Sequence, residues 1–238
     1  MRFDWNDLRF FAAVLEHGST ARAGRAMGVD QTTATRRATR RIRITGDDYL
    51  VRTVLVPALT RFAAKYPDVQ VEVDVSAVVR DLQAGEADMA VRAAGEAPGE
   101  PSLIRRKLRD DPWAVYCSAA YAETRGAPRD LADVAGHPIV ALHVSREDIR
   151  SLGLEDAVRQ VVDSVSAAEA VIRTGACVGA LPRLMADALA DLRFCFDVPA
   201  ASAYWLLYPE RLRRVPEVKA LAGLIVEAFR RESAGADA

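Results

Sequence analysis

Cysteine is scarce and unpatterned in this chain. Its three cysteines, Cys117, Cys177 and Cys195, stand far apart and belong to no C-x-x-C or His/Cys cluster. That argues against a disulfide framework and against a zinc site, and it suits a reducing, cytoplasmic setting. His17, His137 and His143 have no metal-ligand spacing either, so neither a metal nor a cofactor is expected. No apolar run approaches the ~20 residues needed to span a bilayer. The opening "MRFDWNDLRF" lacks the basic-then-apolar layout of a signal peptide, so a soluble, unexported protein with no membrane partner is expected. Catalytic signatures are also missing: there is no G-x-S-x-G, no H-E-x-x-H, no G-x-x-x-x-G-K-[ST] and no G-x-G-x-x-G after a strand. An enzyme is not expected.

What is present is a chain of 238 residues, half of them apolar, with a formal net charge of −1. That length and composition support one small unit and a larger α/β region. The charge is unevenly placed. Arg2, Arg9, Arg22, Arg25, Arg36, Arg37, Arg40, Arg41 and Arg43 face only Asp4, Asp7, Glu16 and Asp30 at the N-terminal end, which should seek phosphate.

In "NDLRFFAAVLEHGS" the residues Leu8, Phe11, Ala12 and Leu15 recur at helical spacing, which predicts a helix with one buried face, capped at Asn6 and stopped at Gly18. Ser19 then caps an Ala-rich helix to Met27, Gly28 ends it, and Asp30 caps a third helix. Two helices joined by a short turn containing Gly form the helix-turn-helix layout. Gln31, Thr32, Thr35, Arg36 and Thr39 lie mostly on one face of the third helix, and Thr33 joins them as a candidate DNA contact. Arg pairs bidentately with guanine, Gln with adenine, and the Thr methyl with the thymine methyl. Arg37, Arg40 and Arg41 suit phosphates, which position without reading sequence. A polar, solvated helix in an ordinary bundle is the plainer alternative. The agreement of turn, caps and charge favours DNA binding.

From Arg41 onward strand-like and helix-like segments alternate. "RIRIT" reads as a strand. "VLVPALTRFAAKYP" reads as a helix with Val54, Leu55, Leu59, Phe62 and Ala63 in a stripe and Pro57 at an early turn or kink. "VQVEVDV" is a strand, "VVRDLQAG" a short helix ending at Gly85, and "ADMAVR" a strand, a series that predicts a parallel sheet. A second series follows the polar "AAGEAPGEPS". Strand "WAVYCS" leads to short helices and turns in "YAETRGAPRDLADVAGH", then to strand "PIVAL". Ser166 and Glu169 are expected to form a capping box on a helix ended by Gly175. "CVGALP" is read as a strand and 181–189 as a helix. "LRFCFDV" and "AYWLLYP" are read as two strands that cross back. A final helix buries Val218, Leu221, Leu224, Ile225, Ala228 and Phe229. Two α/β lobes joined by crossing segments make a hinged cleft, the kind of place where small ligands bind at the carboxyl ends of strands.

These segments, in this order, resemble a known family. "WNDLRFFAAVLEHGSTARAGRAMGVDQTTATRRATR" is similar to the winged helix-turn-helix of LysR-type transcriptional regulators. "RIRITGDDYLVRTVLVPALTRFAAKYPDVQVEVDVS", "LQAGEADMAVR", "WAVYCSAAYAETRG", "DLADVAGHPIV" and "AVIRTGACVGALPRLMAD" resemble that family's two-lobed, periplasmic-binding-protein-like effector domain. The resemblance implies an α/β effector-binding unit over 41–238, with lobe I at about 41–95 and 205–238 and lobe II at about 110–200. It implies a DNA-binding unit over 1–40. It further implies an operator DNA and a small-molecule inducer as partners, and a homo-oligomer.

The chain departs from that pattern in one large way. In the family a β-wing and a long dimerising linker helix follow the recognition helix. Here the stretch "TRRATRRIRITGDDYLV" runs straight into the first effector strand. About forty to fifty residues are missing from the pattern, which at ~1.5 Å per residue includes a helix tens of ångströms long. The dimer contact, and the spacing of two recognition helices one DNA turn apart, are therefore in question. Smaller departures agree. Thr20 stands where the family has an apolar residue, Gly24 replaces an alanine at ~1 kcal/mol of helix stability, Ala34 and Ala38 replace larger apolar residues, and Asp30 replaces a Ser cap. Two readings stay open: an inducer-controlled regulator, and a small-molecule-binding module whose N-terminal helices no longer bind DNA.

By the same resemblance, inducer-facing positions fall at Asp47, Asp48, Ser76, Ala77, Arg92 and Cys177. Two aspartates favour a cationic or hydroxyl-rich ligand unless Arg92 neutralises them. Helix capping is an equal alternative for both. Cys177 is either a thiol sensor or, by ordinary burial statistics, a small buried side chain.

Overall fold

Arg41, near the end of the basic N-terminal stretch, is the first residue of strand β1 (Arg41–Gly46) in the computed structural model. The structure describes residues 12–16, 18–28, 41–76, 78–96, 98, 100 and 102–236. Gln31, Thr32, Thr33, Thr35, Arg36, Arg37 and Arg40 lie outside the described residues, as do Asn6, Leu8, Phe11, Asp30 and Ala77.

Of the N-terminal unit, the helical residues 12–16 and helix α1 (Thr20–Ala26) are described. Ser19 caps α1 as expected, its Oγ accepting the Arg22 N–H at 3.2 Å. Gly28 turns the chain with φ +68°, a conformation glycine adopts at no steric cost. The expected buried face is displaced. Ala13 is buried, whereas Ala12 is exposed and Leu15 is 70% exposed. One residue is 100° of helical turn, so a shift of one position moves the covered face off Leu15.

Asp48–Leu50, the π-helical stretch Val51–Leu55 and Val56–Lys65 run on as a single helix, α2. It begins earlier than its apolar stripe suggests, and Pro57 sits inside it rather than at its start. Pro57 has no N–H for the carbonyl one turn back, and the wide π turn just before it absorbs that loss. Val54, Leu55 and Phe62 are fully buried, and Ala58 rather than the exposed Ala63 completes the stripe.

Strands β2 (Gln70–Val75) and β3 (Met89–Ala94) flank β1 in parallel. The helix expected at "VVRDLQAG" is a series of turns instead. Asp81 accepts the Ala84 N–H at 2.8 Å and Glu86 accepts the Asp81 N–H at 2.9 Å. Such local bonds compete with helix, and with Val78 and Val79 exposed and only Leu82 buried, no apolar stripe rewards one.

Strand β4 (Leu103–Ser118) is much longer than "WAVYCS". Beyond it lie α3 (Ala119–Arg125), α4 (Leu131–Val134), β5 (Ile139–Leu142), α5 (Arg146–Ser151), β6 (Val158–Val162) and α6 (Val165–Arg173). Then come β7 (Gly179–Pro182), α7 (Arg183–Ala186), β8 (Leu192–Pro209) and α8 (Pro216–Ala236). The two strands expected at 192–198 and 203–209 are one. The helix expected over 181–189 shortens to α7, because Leu181 and Pro182 pair with Ala114 and Trp113 as strand.

The capping box expected from Ser166 and Glu169 does not form. Ser164 caps α6, accepting the Ala167 N–H at 3.1 Å. The helix therefore starts two residues earlier, and Glu169 turns inward. Gly175, at φ +76°, follows the end of α6 as expected.

The main sheet has the order β2-β1-β3-β8-β4-β7, and β5 and β6 make a second, parallel pair. One half of the β4–β8 ribbon pairs residues 103–112 with 209–201, and the other pairs 114–118 with 197–192. β3 joins β8 over 203–207, and β7 joins β4 over 113–116. The ribbon thus changes partners near Asp111, Trp113, Ser202 and Tyr204. That is where the two α/β halves meet. Val218, Leu221, Ile225 and Phe229 of α8 are fully buried, in one apolar cluster with Val54, Leu55 and Phe62 of α2.

Candidate effector-binding cleft

The carboxyl ends of β1 and β2, with the adjoining end of β3, open on one side of a cleft of about 400 Å³. The segments that begin α6 and follow β5 form its other side. Asp47, Asp48, Tyr49, Val75, Ser76 and Ala93 line the first wall. Leu142, Val144, Asp163, Ser164 and Val165 line the second, and Trp113 and Ser202 lie on the ribbon between them. The Trp113 indole N–H donates to Ser202 Oγ at 3.0 Å, tying the two crossing strands at the floor. A second, more apolar cavity of about 370 Å³ lies behind β5 and shares the Trp113 and Leu142 walls.

Arg92 builds the first wall rather than facing the cleft. It is 8% exposed. Its guanidinium donates to Ser76 O at 2.5 Å, Val78 O at 2.9 Å and Thr45 Oγ1 at 2.9 Å, with Asp47 Oδ1 at 3.4 Å. The loop after β2 is wrapped around a buried cation. Burial raises the Asp47 pKa, opposed by the Arg92 charge and the Ala93 N–H. Asp47 is thus the partner of Arg92. Its side chain makes no capping bond on α2, and the Asp48 carboxylate accepts the Tyr49 N–H at 2.8 Å.

Asp47, Asp48 and Ser76 are therefore brought together at one opening, with Arg92 beneath them. Cys177 is not. It is 1% exposed, does not line the cleft, and its thiol is pushed up by burial. Tyr49, Trp113, Leu142, Val144, Asp163, Ser164 and Ser202 were not anticipated. Asp163 and Ser164 carried a readable signal, since a polar pair before a helical stripe marks a cap. Trp113 and Ser202 carried none, because their approach depends on the pairing of distant strands.

Beneath the floor runs a buried polar chain. Tyr49 O–H donates to Tyr204 Oη at 3.4 Å, Tyr204 O–H donates to Asp111, and Asp111 Oδ1 accepts the Leu184 N–H at 3.0 Å. Asp111 is fully buried, and desolvation raises its pKa despite these donors. Among the described residues no group of three or more His, Cys, Asp or Glu side chains is placed to hold a metal ion, and no helix is long and apolar enough to cross a membrane.

This cleft and ribbon define a two-lobed α/β fold. Residues 35–230 match the LysR substrate binding domain, and residues 5–46 match the bacterial regulatory helix-turn-helix protein of the lysR family; the chain belongs to the LysR family. An "HTH-type transcriptional regulator" of Xanthomonas campestris pv. campestris is 28% identical over 199 residues, covering 61% of this chain and 57% of the relative. The Escherichia coli "HTH-type transcriptional regulator PgrR" is 26% identical over 103 residues, 43% of this chain and 34% of the relative. The chain thus spans little more than half, or less, of these relatives' lengths. In fold it is similar to CrgA, a LysR-type transcriptional regulator of Neisseria meningitidis, with a TM-score of 0.68 at 16% identity over 96% of this chain and 99% of that one. It is also similar to the effector domain of AmpR from Pseudomonas aeruginosa, with a TM-score of 0.64 at 22% identity over 82% of this chain and 97% of that one.

Proposed function

We propose that the chain is a cytoplasmic, non-catalytic transcriptional regulator whose cleft binds a small molecule and whose N-terminal unit binds operator DNA. The observation that carries this reading is the cleft between the two α/β halves, open at the carboxyl ends of β1 and β2. We assign residues 1–40 to DNA binding, with Gln31, Thr32, Thr33, Thr35, Arg36, Arg37 and Arg40 as contacts. Residues 41–238 form the effector unit, with lobe I at about 41–95 and 205–238 and lobe II at about 110–200.

The effector meets Asp47, Asp48 and Ser76 from one side and Asp163 and Ser164 from the other, and Ala77 is assigned as a further contact. Arg92 is engaged by four oxygens in the wall and is not free to take a carboxylate. The carboxylates of Asp48 and Asp163, with the hydroxyls of Ser76, Ser164 and Ser202, favour a small cationic or hydroxyl-rich molecule. Its apolar part rests on Trp113, Leu142 and Val144. Cys177 has no direct part in this binding.

The second reading, a binding module that no longer engages DNA, draws on one specific observation. The two family matches overlap over 35–46, with nothing between them to hold a wing or a linker helix.

The deciding experiment titrates the intact protein against DNA from its own upstream region and against unrelated DNA, at about 50 and 200 mM salt. A regulator prefers the upstream DNA at both concentrations, and Arg36→Ala lowers specific binding more than non-specific binding. Salt-dependent, sequence-blind binding, or none, supports the second reading. The oligomeric state from the same preparation reports whether a dimer forms without the linker helix.

A further inference from the structure

Two of the three cysteines, far apart in sequence, meet in the fold. Cys117 of β4 and Cys195 of β8 lie on adjacent antiparallel strands with their sulfurs 3.7 Å apart, in van der Waals contact. Cys117 is paired in register with Arg193, and the ladder shifts between Val115 and Tyr116, leaving Cys195 as the extra residue of a bulge. A bulge is locally unpaired and more easily adjusted than a regular ladder. Cys117 is fully buried, whereas Cys195 is partly exposed. The pair therefore has a reachable sulfur and a sheltered one.

We propose that Cys117 and Cys195 form a reversible disulfide when the protein meets a hydroperoxide, a modification site built into the β4–β8 ribbon. The hydroperoxide transfers its terminal oxygen to one sulfur, giving a sulfenic acid and releasing an alcohol, or water from hydrogen peroxide. The second sulfur attacks the first, the S–S bond forms, and the sulfenic oxygen leaves as water. Two thiols and one hydroperoxide thus become one disulfide, one alcohol and one water. The sulfurs must close to about 2.05 Å, a movement the bulge can supply.

The electrostatics divide the roles, with the thiolate favoured on the sheltered sulfur and the proton kept on the reachable one. The Cys195 S–H donates to Cys117, which lowers the Cys117 pKa with help from the Arg193 charge. A thiolate is the reactive form of cysteine. The same contact holds the second proton on Cys195. Cys177 is the internal contrast, a buried thiol pushed up by desolvation. A disulfide here would cross-link the two strands that carry both halves of the fold, on the side of the ribbon away from lobe I. The proposal does not depend on DNA binding.

The test treats the reduced full chain with one equivalent of hydrogen peroxide, quenches it, and caps the remaining thiols with N-ethylmaleimide in denaturant, where the buried Cys117 and Cys177 are also reached. Intact mass and non-reducing peptide mapping follow. Reactive thiols should fall from three to one, with the Cys117 and Cys195 peptides linked and both thiols restored by dithiothreitol. Cys177→Ser should preserve the linkage and Cys195→Ser should abolish it. Cys195 is only partly buried, so that variant decides the matter even where Cys117→Ser fails to fold. Three thiols still reactive after peroxide, a sulfinic acid in place of the linked peptides, or linkage only between two chains would each overturn the proposal.

Discussion

Arg52 of α2 donates to Glu169 of α6 at 2.5 Å, joining the helix that opens one wall of the cleft to the helix that opens the other. The pairing is unequal. The Glu169 side chain is 6% exposed and the Arg52 side chain 52%. Glu169 is also held by Arg173 at 3.1 Å, and Arg173 in turn by Asp191 at 2.7 Å. Glu169 is the fixed member and Arg52 the member free to leave. A latch of this form opens by solvating an arginine, without stranding a carboxylate in the interior.

The strength of the latch can be measured. A double-mutant cycle on Arg52→Ala and Glu169→Ala, read by urea denaturation, should give a coupling of about 1 kcal/mol, as expected for a contacting pair with one member in solvent. Additive effects of the two substitutions would show that the helices are held together by other means.

Arg92 should be far more costly to remove. Arg92→Met strands the Ser76 and Val78 carbonyls, the Thr45 hydroxyl and the Asp47 carboxylate around an apolar side chain. The loss should be about 3 kcal/mol, in the range for breaking a buried charged network from one side. It is read as a lower urea midpoint with an unchanged slope. Under limited proteolysis, cleavage should appear first in 76–86. A variant as stable as the parent would refute the buried-cation account of this wall.

Asp111 makes stability depend on pH with a definite sign. Its folded-state pKa is raised, so its protonated form favours the folded state. That contribution is fully present below the ordinary carboxylate value of 3.8 and is lost as pH rises through the folded value. Asp111→Asn removes this dependence. The stability of the parent relative to the variant should therefore decline as pH is raised from below 4. Denaturant midpoints over a pH series test it, and a parent-minus-variant difference that rises with pH contradicts the assignment.

Gly179 is required by space. A Cβ there would stand 2.8 Å from Val140 Cγ1, 3.0 Å from Val140 O and 3.1 Å from Ile172 Cδ1. Gly179→Ala should cost about 1–3 kcal/mol by overpacking, seen as a lowered Tm. An unchanged Tm would mean that β5 and α6 yield more easily than their burial suggests.

Much of the fold was legible because it rests on local pattern. Val218, Leu221, Ile225 and Phe229 repeat at helical spacing and are buried as a stripe. Ser19 was readable as a cap, and Gly175 as a stop. Errors arose where a local signal met a stronger non-local demand. Glu169 has the spacing of a capping residue, but Ser164 starts the helix earlier and Arg52 claims the carboxylate. "VVRDLQAG" has helical spacing, but no surface covers its valines. The unpatterned cysteines gave no sign that Cys117 and Cys195 would touch.

By itself the sequence determined the class of the chain, the order of its segments, the basic N-terminal end and the abrupt join at Arg41. Hydrophobic period, capping residues and charge are properties of short windows, and they survive without knowledge of partners. Only the tertiary structure decided that Arg92 belongs to the wall, that Cys177 stays out of the cleft, and that Trp113 meets Ser202 on its floor. It alone placed the sulfurs of Cys117 and Cys195 in contact. Those outcomes depend on the register between β4 and β8, set when distant strands pair and bury their common core, and no local window contains that information.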